Sequence, residues 1–201
     1  MLRVGLTGSI AVGKSFVLEC FRELGCNVLD ADRTAREVVE AGTVGFGLVV
    51  EEFGRDVVSE NGELDRKKLG AIVFADEAKR RLLNSIVHPL VFQKQNEWLI
   101  ECEQRDPKGI AIVDAALMIE SGGYKRFAKL IVVWCEAEIQ FERLTGRDGI
   151  SREDAERRIA AQMPQDEKRT FADFEIDTSN GFEDTSEQVN ETFLALRHLM
   201  E

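Results

Sequence analysis

The sequence predicts an α/β fold: an open parallel sheet of about five strands flanked by helices, with an inserted helical sub-domain and a helical lid. Three observations predict it. Short apolar runs rich in Val and Ile recur along the chain without alternating with polar residues, the pattern of strands covered on both faces. Stretches with helical periodicity separate those runs, which builds right-handed βαβ units. The first run opens into Gly8-Ser9-Ile10-Ala11-Val12-Gly13-Lys14-Ser15, a match to G-x-x-x-x-G-K-[ST] in the strand-then-helix context that this phosphate-binding loop requires.

Each element follows in chain order. Residues 3–7 read as the first strand, and Val17, Cys20, Phe21 and Leu24 then share one helix face. Residues 27–29 are a short second strand, ending in Asp30-Ala31-Asp32. About eighty residues separate it from the third strand at 110–113, far more than one crossover helix needs. Helical segments around 45–53, 65–74 and 77–87 fall in that stretch, with Asn61-Gly62 as a turn and Asp65 as an N-cap. A further long helix carries Val91, Phe92, Gln95, Trp98, Leu99 and Cys102. The fourth strand is 130–135. Ser151-Arg152-Glu153-Asp154 reads as a helix N-cap with an acid at its third position. A weaker fifth strand at 174–176 precedes a helix striped by Val189, Phe193, Leu196 and Met200. The expected organisation is a nucleotide-binding core of residues 1–36, 109–136 and 170–201, a helical substrate sub-domain at 37–108 and a lid at 137–169.

Composition narrows the function. The chain of 201 residues carries 26 Lys and Arg against 37 Asp and Glu, a formal net charge of −11. A field of that sign repels nucleic-acid backbones and anionic lipid, so neither is expected as a partner. It leaves open a small anionic ligand held by a local basic site. Cys20, Cys26, Cys102 and Cys135 form no Cys-x-x-Cys pair and are read as buried reduced thiols. The N-terminus is too quickly broken by glycine for a signal peptide, and no apolar run reaches the roughly 18 residues of a membrane span. A cytoplasmic protein, monomeric or a small homo-oligomer, is expected.

The chemistry starts at the loop. Gly8 and Gly13 allow backbone that turns successive N–H groups around a phosphate, and the helix start near Lys14 adds its positive end. Lys14 reaches the β- and γ-phosphates, and the Ser15 hydroxyl can ligate Mg²⁺. That makes a nucleoside triphosphate ligand. Asp30 or Asp32 either accepts a hydroxyl proton at the sheet rim or caps the next helix. Asp114, at the end of the third strand, is either a Mg²⁺-water contact or a structural acid. Arg143, Arg147, Arg152, Arg157, Arg158, Lys168 and Arg169 cluster around a helix with a thin apolar stripe. They form either a lid over the nucleotide or a solvated helix laced with ion pairs. His88, before Pro89, is structural or a substrate contact. A guanine-reading switch would need an Asn-Lys-x-Asp segment, which the sequence lacks.

Several separated motifs, in order, resemble the dephospho-CoA kinase family. After the loop come Asp30-Ala31-Asp32-Arg33-Thr34-Ala35-Arg36, Phe53-Gly54, Gly62-Glu63-Leu64-Asp65-Arg66, Val73-Phe74 and Ile86-Val87-His88-Pro89-Leu90. Gln140, Arg143-Leu144, Arg147-Asp148, Ser151, Ala155, Arg158-Ile159 and Gln162 fit the family's lid pattern, and Asp173-Phe174-Glu175-Ile176-Asp177 its late strand. The resemblance covers roughly residues 1–180 and implies a P-loop kinase fold. It implies transfer of the ATP γ-phosphate to the ribose 3′-hydroxyl of dephospho-CoA, the last step of coenzyme A formation, with Mg²⁺. Carried over residue by residue, it implies Asp32, Lys14 and Arg147 as catalytic. It makes residues Gly8, Ser9, Ile10, Ala11, Val12, Gly13, Lys14, Ser15 and Phe16, with Arg143 and Arg147, the ATP site. Asp32, Arg36 and His88 fall on substrate-side positions. Mg²⁺ would sit on Ser15, with Asp32 or Asp114 through water. Another small-molecule kinase of nucleotide or shikimate type is the alternative. The family loop usually has glycine at Ala11, a small polar residue at Val12 and threonine at Phe16. Backbone phosphate contacts tolerate these changes. Its Asp-x-Pro-Leu-Leu-Phe-Glu segment appears as residues 114–120 with Ala116 in place of proline, which alters the local turn.

Overall fold

Five strands form one sheet: β1 Leu2–Thr7, β2 Asn27–Asp30, β3 Ile110–Asp114, β4 Lys129–Trp134 and β5 Phe174–Asp177. Their order is β2-β3-β1-β4-β5, and every neighbouring pair is parallel. The computed structural model that carries the sheet describes residues 1–200. β3 is buried at every position, as its unbroken apolar run dictates. Leu6 and Asp30 both align with Asp114, so the carboxyl ends of three strands share one rim. In open parallel sheets that rim is where ligands bind.

The chain divides into two units, Met1–Asp30 with everything from Cys102 onward, and Ala31–Glu101. The first contains the sheet with α1 Lys14–Glu23, α6 Ala137–Asp148, α7 Arg152–Ala160, α8 Gln165–Arg169 and α9 Phe182–His198. Its core joins Val4 and Leu6 of β1, Ile112 of β3, Ile131 and Val133 of β4 and Ile176 of β5 to Val17 and Phe21 of α1 and Val189 and Leu196 of α9. The helical periods read from the sequence supply those side chains. Ser151 caps α7 as its motif predicts, accepting the Asp154 N–H at 3.1 Å. Asp173 ties β5 to β4, accepting from the Leu130 N–H at 2.8 Å and from Lys129 Nζ at 2.7 Å.

The second unit is helical: α2 Ala31–Glu37, α3 Val44–Phe53, α4 Arg66–Ala75 and most of α5 Glu77–Arg105. Its core gathers Val38, Val39, Val49, Val57, Leu64, Leu69 and Val91. Thr43 caps α3, and Asp65 caps α4 through the Lys67 and Lys68 N–H groups. Gly62, with φ of 83°, makes the turn expected at Asn61-Gly62. Two features differ from the sequence reading. This unit begins at Ala31 rather than residue 37, so the helix bearing Asp32 and Arg36 belongs to it. The segments on either side of His88-Pro89 are one helix of 29 residues, not two. Proline there removes a single backbone donor, while Leu83, Ile86, Val87, Leu90 and Val91 carry one apolar face across it into the core. Among the described residues no helix is long and apolar enough to cross a membrane.

Candidate active site

The turn from β1 into α1 wraps a cleft of about 250 Å³ lined by Ser9, residues 11–15, Arg143 and Arg147. The two glycines of the motif do different work. Gly13 has φ of 87°, a left-handed backbone that lets α1 start with its N–H groups facing the cleft. Gly8 is required by packing: a Cβ there would lie 2.4 Å from the Val133 carbonyl oxygen of β4. Ala11 also adopts a left-handed conformation, φ 61°, and is the sole non-glycine to do so among the described residues. The strain costs about 1–2 kcal/mol.

Side chains from distant elements hold the loop. Thr178, just past β5, donates its hydroxyl to the Val12 carbonyl at 2.8 Å. Arg143 of α6 donates to the same hydroxyl at 2.8 Å and to the Thr178 carbonyl at 2.7 Å. Ile10 is held on both sides, its N–H by Gln162 at 2.8 Å and its carbonyl by Gln140 at 2.7 Å. Gly8, Ile10 and Phe16 thus support the cleft without lining it. Phe16 packs its ring against Phe182, with centroids 4.7 Å apart.

The floor is acidic and basic together. Lys14 Nζ lies 3.9 Å from Asp114 Oδ1, and both side chains are largely buried. The segment after Asp114 is fixed by side chains. Thr7 Oγ1 donates to the Ala115 carbonyl at 2.8 Å, and Lys168 Nζ to the Ala116 carbonyl at 2.7 Å. Lys168 is completely buried and pairs with Glu120 at 2.9 Å. It is therefore a structural pin, neither solvated nor lining the cleft. Burial pushes its pKa down, against the pull of Glu120, and the Lys14 charge adds to the lowering. Burial opposes ionisation of Glu120 too, but the Lys168 hydrogen bond and backbone N–H groups outweigh it and keep the carboxyl below its ordinary range.

On α6, Arg147 is exposed and lines the cleft with its guanidinium hydrogen-bonded to Asp148 at 2.7 and 3.2 Å. That bond, and the Asp148 charge, raise the Arg147 pKa. Asp148 also receives Arg158 at 2.6 Å. Asp32, Arg36 and His88 lie on the second unit: Asp32 in the first turn of α2, Arg36 in its last, His88 exposed on α5.

Anionic phosphate fits this cleft. It meets an ammonium, two guanidiniums, the start of a helix and the Ser9 hydroxyl, which is buried without a hydrogen-bond partner. A hard divalent cation fits as well, since the Ser15 hydroxyl and the Asp114 carboxylate are oxygen donors beside it. Among the described residues no cluster of three or more acidic, His or Cys side chains is assembled. Magnesium shared with nucleotide phosphates needs none. Thr178 and Gln165 carry no motif and were invisible in the sequence; only their hydrogen bonds reveal them.

A model of the dephospho-CoA kinase family matches residues 2–184. A dephospho-CoA kinase domain-containing protein of Danio rerio is 46% identical over 190 residues, covering 94% of this chain and 82% of that protein. The dephospho-CoA kinase of Aquifex aeolicus is 43% identical over 193 residues, 96% of each chain. The solved structure of a dephospho-CoA kinase from Campylobacter jejuni superposes with a TM-score of 0.74 at 26% identity, covering 99% of this chain and 98% of the other.

Proposed function

The chain belongs to the dephospho-CoA kinase family, and we propose that it transfers the γ-phosphate of ATP to the ribose 3′-hydroxyl of dephospho-CoA, releasing ADP and coenzyme A. The observation that carries the reading is the phosphate loop with Lys14, Ser15, Arg143 and Arg147 around one cleft, in a chain matched by the family over residues 2–184.

The roles follow from the chemistry. Loop amides and Lys14 bind the β- and γ-phosphates and oppose the charge that builds on them during transfer. Bound magnesium would supply further neutralisation of those phosphates, with Ser15 and, through water, Asp114 or Asp32 as the oxygens that hold it. Arg147 serves the transition state when its guanidinium exchanges Asp148 for phosphate oxygens. Asp32, exposed two residues past the end of β2, accepts the proton of the acceptor hydroxyl or orients it for in-line attack. Arg36 and His88 take the acceptor. The four cysteines, buried thiols in the structure, suit a reducing cytoplasm.

A coupled ADP-release assay with ATP and dephospho-CoA tests the reaction, with adenosine and shikimate as control acceptors. ADP release at background with dephospho-CoA overturns it. Asp32→Asn should lower kcat by about 10²–10⁴-fold while ATP affinity stays near wild type. Near-normal turnover removes Asp32 from the proton transfer.

A further inference from the structure

Two glutamines of the lid pattern, Gln140 and Gln162, have no part in the phosphate chemistry just described. Both hold Ile10, which does not line the cleft. Gln140 is the more constrained. It is 2% exposed, and its amide cannot be turned round. Gln165 Oε1 accepts the Cys135 backbone N–H at 3.1 Å, so Gln165 Nε2 must donate, and it does so to Gln140 Oε1 at 2.9 Å. Gln140 Nε2 is then left to donate to the Ile10 carbonyl at 2.7 Å. The polarity of the relay runs from a β4-end N–H to the loop carbonyl.

That carbonyl belongs to the peptide whose N–H is on Ala11. The group is planar and trans, so its C=O and N–H point in opposite directions. The C=O is held by Gln140, which does not line the cleft, so the N–H at the opposite end of the peptide is directed from Ala11, which does. Rotating this peptide by half a turn would put a carbonyl oxygen where phosphate must sit. It would also carry Ala11 from φ 61° to about −120°, out of the left-handed region. Strain at Ala11 therefore favours the wrong orientation. Glycine at this position would feel no such bias.

We propose that Gln140 is a positioning residue for nucleotide binding: its hydrogen bond to the Ile10 carbonyl holds the Ile10–Ala11 peptide against a flip that alanine at position 11 favours. The proposal rests on the nucleotide-site reading above but not on the acceptor. It is tested by the Kd of the full-length protein for ATP with magnesium, without dephospho-CoA, beside kcat and thermal stability.

Gln140→Glu is the informative variant. Ionised, the carboxylate faces the Ile10 carbonyl with no donor. Protonated, it donates as the amide does. Burial raises the pKa of such an acid, so the neutral form gains within the working pH range. At about pH 8 the variant should bind ATP about tenfold more weakly than wild type, the effect of one lost buried hydrogen bond. At about pH 6 the deficit should shrink severalfold. Adding Ala11→Gly should recover most of the affinity at about pH 8, because the flip no longer relieves strain. A purely structural glutamine predicts pH dependence in thermal stability, but it does not predict the rescue of ATP affinity by glycine at position 11. If Gln140→Glu does not fold at the higher pH, Gln140→Met removes both hydrogen bonds without charge and is paired with Ala11→Gly in the same way. ATP affinity equal to wild type in the Gln140 variant, or an affinity loss that Ala11→Gly leaves in place, overturns the proposal. Tight ATP binding without turnover on dephospho-CoA would instead count against the acceptor assignment.

Discussion

Gly8 shows how much a single missing side chain sets. With its virtual Cβ 2.4 Å from a backbone oxygen of β4, alanine there meets main chain that cannot swing aside, besides the Val12 side chain. Gly8→Ala should cost about 2–3 kcal/mol of stability and weaken ATP binding, read by urea denaturation and calorimetry. Unchanged stability would mean that β4 gives way. The motif marks Gly8, but not this reason, because Val133 is remote in sequence and contributes only a carbonyl. Thr178 and Gln165 are illegible for a related cause: they act through one hydroxyl and one amide, residue types common on any surface. Asp114 is intermediate. Its place at a strand end is readable, while its closeness to Lys14 depends on register across the sheet.

At the scale of elements, strands were legible wherever an apolar run was buried on both faces, as in β3 and β4. β5 is weaker in sequence since it pairs on one side only, and a side chain compensates. Asp173 clamps its start to Lys129 and the Leu130 N–H. Burial works against ionisation of Asp173, but those two donors prevail and hold its pKa below the usual carboxylate value. A depressed pKa stabilises the fold above the unfolded value, and that contribution is lost as pH falls through the folded value. Asp173→Asn should therefore cost about 1 kcal/mol at neutral pH, a modest figure because the side chain is about one-third exposed. The difference from wild type should fade once pH drops below the ordinary range near 4, as urea titrations at neutral and acid pH would record. A constant gap would assign the effect to packing. α5 was the element misread: His88-Pro89 looks like a boundary locally, and the buried face that overrides it is shared among other helices.

For the whole molecule, charge and ligand are opposed. The net −11 repels ATP at long range, while Lys14, Arg143 and Arg147 attract it only nearby. At about 10 mM salt the screening length of about 30 Å lets the overall field act, and at about 150 mM it is about 8 Å and the local cations dominate. Stopped-flow association of ATP should accelerate severalfold across that range. A steady decline would show that the local cations govern at every distance. The division into two units has one more consequence. The chain has two tryptophans, and each unit holds one: Trp98 on α5 and Trp134 at the end of β4. The Arg169 guanidinium of α8 stacks 3.8 Å above the Trp134 ring. A cation on the indole face alters its emission, and Trp98→Phe leaves Trp134 as the single tryptophan. Its wavelength and lifetime report whether α8 still covers β4, with no label attached.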